Sequence, residues 1–484
     1  MKFKGRTVLV FILLTMASSV LVTLVLADRL VLDGSRGLAS AVPSVNGQGL
    51  TKQEEDKLSA VLSLIETKYY KDVDRGKVVD GAINGMMAAL DDPYSAYMEK
   101  ETATHFTESI EGSFSGIGAE VTMEGGNIVI VSPIKDSPAE RAGLMPKDVL
   151  LSVNGESLSG LQLNEAVAKI RGPKGTKAKV QIRRAGVDQP ISLVLVRDDI
   201  DVETVYAKLL EDGVGLIEIR QFSMNTGERF LEELEGLEKK GLKGLVIDVR
   251  NNPGGVLPIV VSIAQPFIKK GEPIVMIEEK GGAREQTLSK GNGRSYPIVV
   301  LTNKGSASAS EVLAGALRER AGAVIVGETS YGKGTVQVSY NKVLGDGSLV
   351  KMTIAKWLTP DGNWVHEKGI TPDVEVLPPD YYSAPRLSKQ TVLEQDMLSE
   401  EIRSMQLMLG GLGYQVDRKD GYFSKQTAEA VKAFQRAEGL SVTGKLDKAS
   451  AEKLEQQLIL FVRNEKNDVQ LIKAIETVKE KISR

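Results

Sequence analysis

Residues 297–303 read PIVVLTN, and from Asn303 to Arg320 the chain continues NKGSASASEVLAGALRER. The first run is short, apolar and β-branched; the second places Val312, Leu313, Ala316 and Leu317 on one helical face. A strand that ends where a helix begins is an α/β unit, and open α/β sheets bind ligands at that carboxyl edge. Three serines, Ser306, Ser308 and Ser310, alternate with small residues at this junction. Ser308-Ala309-Ser310-Glu311 has the form of a capping box, so Ser308 reads first as a helix cap. The same place suits a nucleophile, because free amides and the positive end of a helix dipole favour a developing oxyanion.

The pattern extends outward from this junction. GLIEIRQF, GLVIDVR, PIVVLTN and AVIVGE are apolar runs separated by helical stretches such as GERFLEELEGLEKKG, between residues 200 and 380. This predicts a mostly parallel sheet covered on both faces. Residues 104–199 have another texture, with alternating strands, a capping box at Ser137 to Glu140, and a helical face at Leu163, Ala166, Val167 and Ile170. Residues 51–103 predict two helices, one from Thr51 and one over Lys77–Leu90. A linker at 381–395 leads to residues 396–462, where three short helices alternate with glycine turns, and 463–484 reads as a solvated amphipathic helical tail. The fold class is multidomain α+β.

Composition narrows the chemistry. The chain has 484 residues, enough for several domains, and a net charge of −3, which gives no reason to expect nucleic acid. It has no cysteine and two histidines, His105 and His366. Thiolate catalysis and cysteine metal sites are excluded, and a histidine-rich zinc site nearly so. Lys2, Lys4 and Arg6 precede the apolar run Thr7–Ala27, so 1–27 is a signal peptide or membrane anchor, followed by a linker at 28–50. Either reading places the rest outside the cytoplasm.

With so little histidine, a serine nucleophile needs another base. Lys333 stands between two glycines in SYGKGTVQV, directly after the strand AVIVGE and 25 residues beyond Ser308. That spacing holds one helix and one strand returning to the same edge. Burial would lower the lysine pKa and supply a neutral amine.

GSASASE followed by YGKGTVQ resembles the signature of the carboxy-terminal processing (tail-specific) serine proteases. The resemblance implies a ClpP/crotonase-like α/β core and a Ser/Lys catalytic pair, with Ser308 as nucleophile, Lys333 as general base and Gln337 orienting the lysine. On a regular strand Lys333 and Gln337 stand about 13 Å apart, so Gly334 is expected to permit a bend. The family's glycine loop falls on NNPGG, implying an oxyanion hole from the Gly254 and Ala309 amides. No metal or cofactor is implied. Residues 104–199 resemble a PDZ domain, with Gly116-Ile117-Gly118-Ala119 as the carboxylate-binding loop; Arg171, exposed by pattern, is a candidate reporter of peptide binding. Residues 396–462 resemble a peptidoglycan-binding module. The implied protein is an extracytoplasmic, membrane-anchored or secreted endopeptidase of the cell envelope. Its partners are protein substrates with exposed apolar C-termini, peptidoglycan, the membrane through its N-terminus, and a second copy of itself through the N-terminal arm. A role in envelope signalling such as sporulation fits the family. Two alternatives are a wall-attached PDZ scaffold without activity, against which the intact Ser308, Lys333 and Gln337 speak, and a crotonase-like acyl-CoA enzyme, which the PDZ segment disfavours.

Overall fold

The computed structural model describes residues 49–483 apart from 135 and 188. The apolar run Thr7–Ala27 and nearly all of the 28–50 linker lie outside the described residues. Among the described residues no helix is long and apolar enough to cross a membrane. The chain divides into two units, one ending at Ile83 and one running from Asn84 onward.

The first unit holds α1 (Lys52–Lys68) and most of α2 (Arg75–Ala88). Thr51 starts α1 with a capping box, its N–H donating to Glu54 at 2.7 Å. Neither helix buries a side chain, and Leu58, Val61 and Leu64 are all exposed.

The second unit opens with β1 (Ala96–Met98), α3 (Lys100–Glu111) and β2 (Ser113–Gly116). A small antiparallel domain follows, built from β3 (Ala119–Glu124), β4 (Asn127–Pro133), α4 (Pro138–Arg141), β5 (Val149–Val153), β6 (Glu156–Ser157), α5 (Leu163–Ile170), β7 (Lys177–Arg183) and β8 (Ile191–Val196). Its strand order is β3-β4-β5-β7-β8, which leaves β3 at an edge. Ile130, Leu150, Val180 and Ile182 pack with Ala166 and Ile170 of α5. The capping box at Ser137 forms with one change: Ser137 Oγ accepts the Glu140 N–H, but the Glu140 carboxylate takes the Asp136 N–H. The chain returns through β9 (Asp198–Asp201), paired antiparallel with β2. α3 also bonds to the next domain, since Gln221 Nε2 and Ser223 Oγ both donate to Ser109 O at 2.9 Å.

That next domain contains β10 (Val205–Leu209), β11 (Val214–Ile219), α6 (Thr226–Lys239), β12 (Gly244–Asp248), α7 (Leu257–Ala264), β13 (Pro273–Glu279), β14 (Arg284–Leu288), β15 (Ile298–Thr302), α8 (Ala309–Ala321), β16 (Val324–Gly327), β17 (Thr335–Tyr340), β18 (Leu349–Leu358) and β19 (Val374–Glu375). The main sheet runs β10-β11-β12-β15-β16-β19, parallel except at β10. Every residue of β12 and β15 is buried, which is why these strands read as unbroken apolar runs. Alternate residues face opposite ways. Ile217, Ile247, Val300 and Ile325 pack under α6, α7 and α8. Leu216, Val246, Val299 and Val326 line the other face. A smaller antiparallel sheet, β1-β18-β13-β14 with β17 on β18, stands beside it.

Three helices, α9 (Glu400–Gly411), α10 (Lys425–Ala437) and α11 (Lys448–Arg463), then share a core of Met405, Leu409, Phe423, Val431, Phe434 and Leu454. The last helix, α12 (Val469–Ile482), is not the solvated tail its sequence suggests. Leu471, Ala474 and Val478 are buried against Val246, Val299 and Val326, so α12 is the cover of the second sheet face. Burying Leu471 and Val478 there stabilises the core by about 1.5–3 kcal/mol each. The three-helix module is therefore inserted between the last strand of the sheet and the helix that completes it.

Candidate active site

β15 delivers the serine stretch to the carboxyl edge of the sheet, and the three serines cease to be equivalent there. Ser306 and Ser310 are fully buried. Ser306 Oγ donates to Val249 O and Ser310 Oγ to Asn252 O, each at 2.8 Å. Both hydroxyls are spent on the neighbouring loop. Ser308 alone is half-buried. Its φ of 54° and ψ of −110° lie outside the regions that a residue with a side chain ordinarily adopts. Such strain persists only where the surroundings impose it. Here the flanking serine bonds hold the turn, and the Ser308 N–H donates to Glu311 Oε2 at 2.7 Å.

Glu311 does more than close a capping box. It is fully buried, and its carboxylate accepts four hydrogen bonds. Two come from the backbone N–H groups of Ser308, at 2.7 Å, and Lys333, at 2.8 Å, both to Oε2. Ser330 Oγ and the Gly332 N–H donate to Oε1, each at 2.6 Å. One carboxylate thus ties the backbone of the candidate nucleophile to that of the candidate base. The sequence shows this glutamate only as a helix-cap residue.

The lysine loop is held from its other side as well. Trp357 Nε1 donates to Lys333 O and Trp364 Nε1 to Gly334 O, both at 2.8 Å. The Gly334 N–H donates to His366 Nδ1 at 3.3 Å, and the imidazole stacks on Trp364. His366 therefore supports the lysine loop through the backbone. A Cβ on Gly334 would lie 2.6 Å from Trp364 Nε1, so glycine serves close packing here. Within β17 the pairing with β18 shifts register between Val336 and Gln337.

The Lys333 amine lies over the Tyr94 ring, 5.0 Å from its centroid, and not in a hydrogen bond with Ser308. Gln337 is likewise turned elsewhere: its Nε2 donates to Thr335 Oγ1 at 2.9 Å and Thr353 Oγ1 at 3.1 Å. Burial lowers the Lys333 pKa to about 8, helped by the Lys351 charge and opposed by Asp92 and Glu311. Asp92 and Tyr94 come from the segment before β1, which Ser95 pins by accepting the Thr353 N–H at 2.9 Å. In the sequence, Asp91-Asp92-Pro93 has only the form of a turn signal after a helix.

The candidate oxyanion donors stand beside Ser308. A Cβ on Gly254 would lie 3.0 Å from both Ala309 N and Ser308 Cβ, and the φ of +106° suits glycine. Ala309 is the first residue of α8, where an N–H has no acceptor within its own helix. The Gly254 N–H donates to Asn252 Oδ1 at 2.9 Å. Fully buried Asn252 also donates to Ile219 O at 2.8 Å and accepts the Ala307 N–H at 3.0 Å through its own carbonyl. The serine stretch and the NNPGG loop are therefore stitched into one unit.

In the small β-domain, the loop Gly116-Ile117-Gly118-Ala119 leads into edge strand β3. Ile117 O accepts the Ala139 N–H at 2.7 Å, and Gly118 O accepts the Ile134 N–H at 2.9 Å and Ser137 Oγ at 2.8 Å. In a trans peptide the N–H opposes the C=O. The Gly118 and Ala119 amides consequently turn away from those donors. Arg171 corrects its sequence reading: its side chain is only 30% exposed. It donates to Glu108 at 2.6 Å and lies over the Phe114 ring at 4.7 Å. His105 belongs to the same cluster, within hydrogen-bond distance of Glu108 and Arg171, far in sequence from either candidate catalytic motif.

Comparison with known proteins agrees with this layout. The model for peptidase family S41 matches residues 213–376, a PDZ model matches 129–184, and a peptidoglycan-binding model matches 399–454. The N-terminal domain model of the activating protease CtpB matches 33–102. The carboxy-terminal processing protease CtpB of Bacillus subtilis is 48% identical over 87% of this chain and 88% of its own length. CtpA of the same organism is 42% identical over 96% of this chain and 98% of its own length. A photosystem II D1 C-terminal processing protease structure is 31% identical with a TM-score of 0.41, covering 69% of this chain and 88% of that one.

Proposed function

Because this chain belongs to the carboxy-terminal processing proteases, serine peptidases of family S41 that carry a PDZ domain, we propose that Ser308 and Lys333 are its catalytic pair. The observation that carries this reading is the sorting of the serines: Ser306 and Ser310 spend their hydroxyls on backbone carbonyls, and Glu311 joins the Ser308 and Lys333 backbones. In the reaction, the Lys333 amine leaves the Tyr94 ring and takes the Ser308 proton as Oγ attacks a peptide carbonyl. Gln337 turns from Thr335 to orient the amine. The Ala309 and Gly254 amides hold the oxyanion, the latter after release from Asn252. Lys333 then protonates the leaving amine, and a water activated by the same base frees the acyl group.

The substrate is a protein with an exposed apolar C-terminus. Its carboxylate meets the Gly118 and Ala119 amides, and its chain adds as a strand to β3. Arg171, beside that loop, reports occupancy by leaving Glu108. The apolar stripe of α1, which buries nothing within its own unit, supports pairing with a second copy. The basic-flanked run at 7–27 and the peptidoglycan-binding match support residence in the cell envelope, with the module held on the wall.

Ser308→Ala tests the central claim. It should abolish cleavage of a peptide with an apolar C-terminus while leaving peptide binding intact. Undiminished cleavage would refute the pair. Arg171→Ala should blunt activation by free substrate tails, and unchanged activation would remove Arg171 from the reading.

A further inference from the structure

The insertion of the three-helix module has a consequence at the other end of α12. Arg250 lies between β12 and the NNPGG loop, two residues before Asn252 and four before Gly254. Its guanidinium donates to Asp248, at 2.7 Å from Nη2. It also donates to Asp468, at 2.9 Å from Nη1 and 2.7 Å from Nη2, and to Gln470 Oε1 at 3.1 Å. The three charged side chains are no more than 17% exposed. Asp468 is also the N-cap of α12, accepting the Leu471 N–H at 3.0 Å. Gln470 Nε2 donates at 2.7 Å to the carbonyl of Val376, directly after β19. The point where the chain leaves the sheet for the module and the point where it returns are thus bonded to each other. The return point is bonded in turn to Arg250, the residue immediately before the candidate oxyanion loop.

We propose that Asp468 is a positioning residue for catalysis: through its bidentate bond to Arg250 it sets the NNPGG loop, so that the inserted module and the oxyanion donors share one mechanical link. Two features give the link its force. A bidentate Arg–carboxylate pair fixes orientation as well as distance. Burial alone would raise the Asp468 pKa, yet the hydrogen bonds and charge of Arg250 hold it below the usual carboxylate range. From Arg250 the path to the site is short. Val249 O holds Ser306, Asn252 O holds Ser310, and Asn252 Oδ1 holds the Gly254 N–H. Sub-ångström errors at such donors are costly in rate.

The proposal rests on the assignment of Gly254 as an oxyanion donor. Its test is Asp468→Asn in the full chain, with Arg250→Lys as a second variant. Asparagine still caps a helix, so the fold is retained while the ionic bond is lost. Both variants should lower kcat about tenfold and weaken a peptide-boronate transition-state mimic by a similar factor, with KM within about twofold, at a temperature well below their thermal midpoints. If melting shifts but kcat and boronate affinity stay within about twofold of the parent, the link is structural only and the proposal falls. Its failure is distinguishable from failure of the catalytic assignment, which would appear as activity surviving in Ser308→Ala.

Discussion

The two halves of the candidate site are built differently. On the serine side the side chains around Ser308 are committed: Ser306 and Ser310 donate to the carbonyls of Val249 and Asn252, and Asn252 and Asn303 accept the Gly254 and Gly305 N–H groups. On the lysine side the backbone is equally fixed, by Glu311, Trp357, Trp364 and His366, but the amine sits at the end of four methylenes over an aromatic ring. The difference teaches that the candidate nucleophile, Ser308, is preset and that the candidate base, Lys333, is the part free to move. Swinging one side chain costs rotamer entropy and a cation–π contact of about 0.5–2 kcal/mol, whereas moving the serine turn would break a buried network.

The comparison is most easily broken at the group shared by both halves. Glu311→Gln replaces an acceptor oxygen with an amide NH₂ facing N–H or O–H donors. It should destabilise the fold by about 2–4 kcal/mol and reduce kcat by about a hundredfold or more, measurable by chemical denaturation and peptide hydrolysis. A mild effect would mean the halves are held independently. Next, Gly254→Ala forces a Cβ to 2.8 Å from Ala307 O at positive φ, on the rigid side alone. It should cost about a hundredfold in kcat with little change in peptide binding to the PDZ domain.

The lysine side is sharpened by pH. With Lys333 as the proposed base, its neutral amine is the reactive form, so kcat/KM should rise as pH increases through about 8. Lys351→Met removes a like charge and should move that midpoint upward; Asp92→Asn removes an opposite charge and should move it downward. Shifts in the same direction would refute the electrostatic account of the base. The smallest effect belongs to Tyr94→Leu, which takes away the resting place of the amine and should raise kcat by at most about fivefold. A large loss would instead make Tyr94 part of the working geometry.

Much of this was legible because it is local. Spacing, turn chemistry and resemblance nominate Ser308, Lys333 and the NNPGG loop as candidates, and the strand–helix rhythm predicts the parallel sheet that is present. What escaped was long-range. Glu311 carries an unmistakable cap signal, which hides that its second oxygen serves residues 19 and 21 positions away, Ser330 and Gly332. His366 has no local tie to the site because its partner, Gly334, is 32 residues distant. Arg171 sits in a turn that reads as exposed, yet Glu108, 63 residues earlier, comes to meet it. Gln337 is on the expected strand, but the shift against β18 and the two threonines decide where its amide points.

By itself the sequence determined the elements and their apolar faces, because helix and strand periodicity depend on neighbours within a few residues. It also determined the chemical inventory: no thiol, almost no imidazole, and a lysine between glycines close to a run of serines. Only the tertiary structure decided which serine remains available, where the amine rests, and that the final helix belongs to the catalytic sheet. The amphipathic stripe of α12 announced that Leu471, Ala474 and Val478 needed a cover. It carried no information about which surface would provide one, since any apolar face satisfies the hydrophobic effect. The choice fell to the open face of β12, β15 and β16 and to the buried ion pair between Arg250 and Asp468.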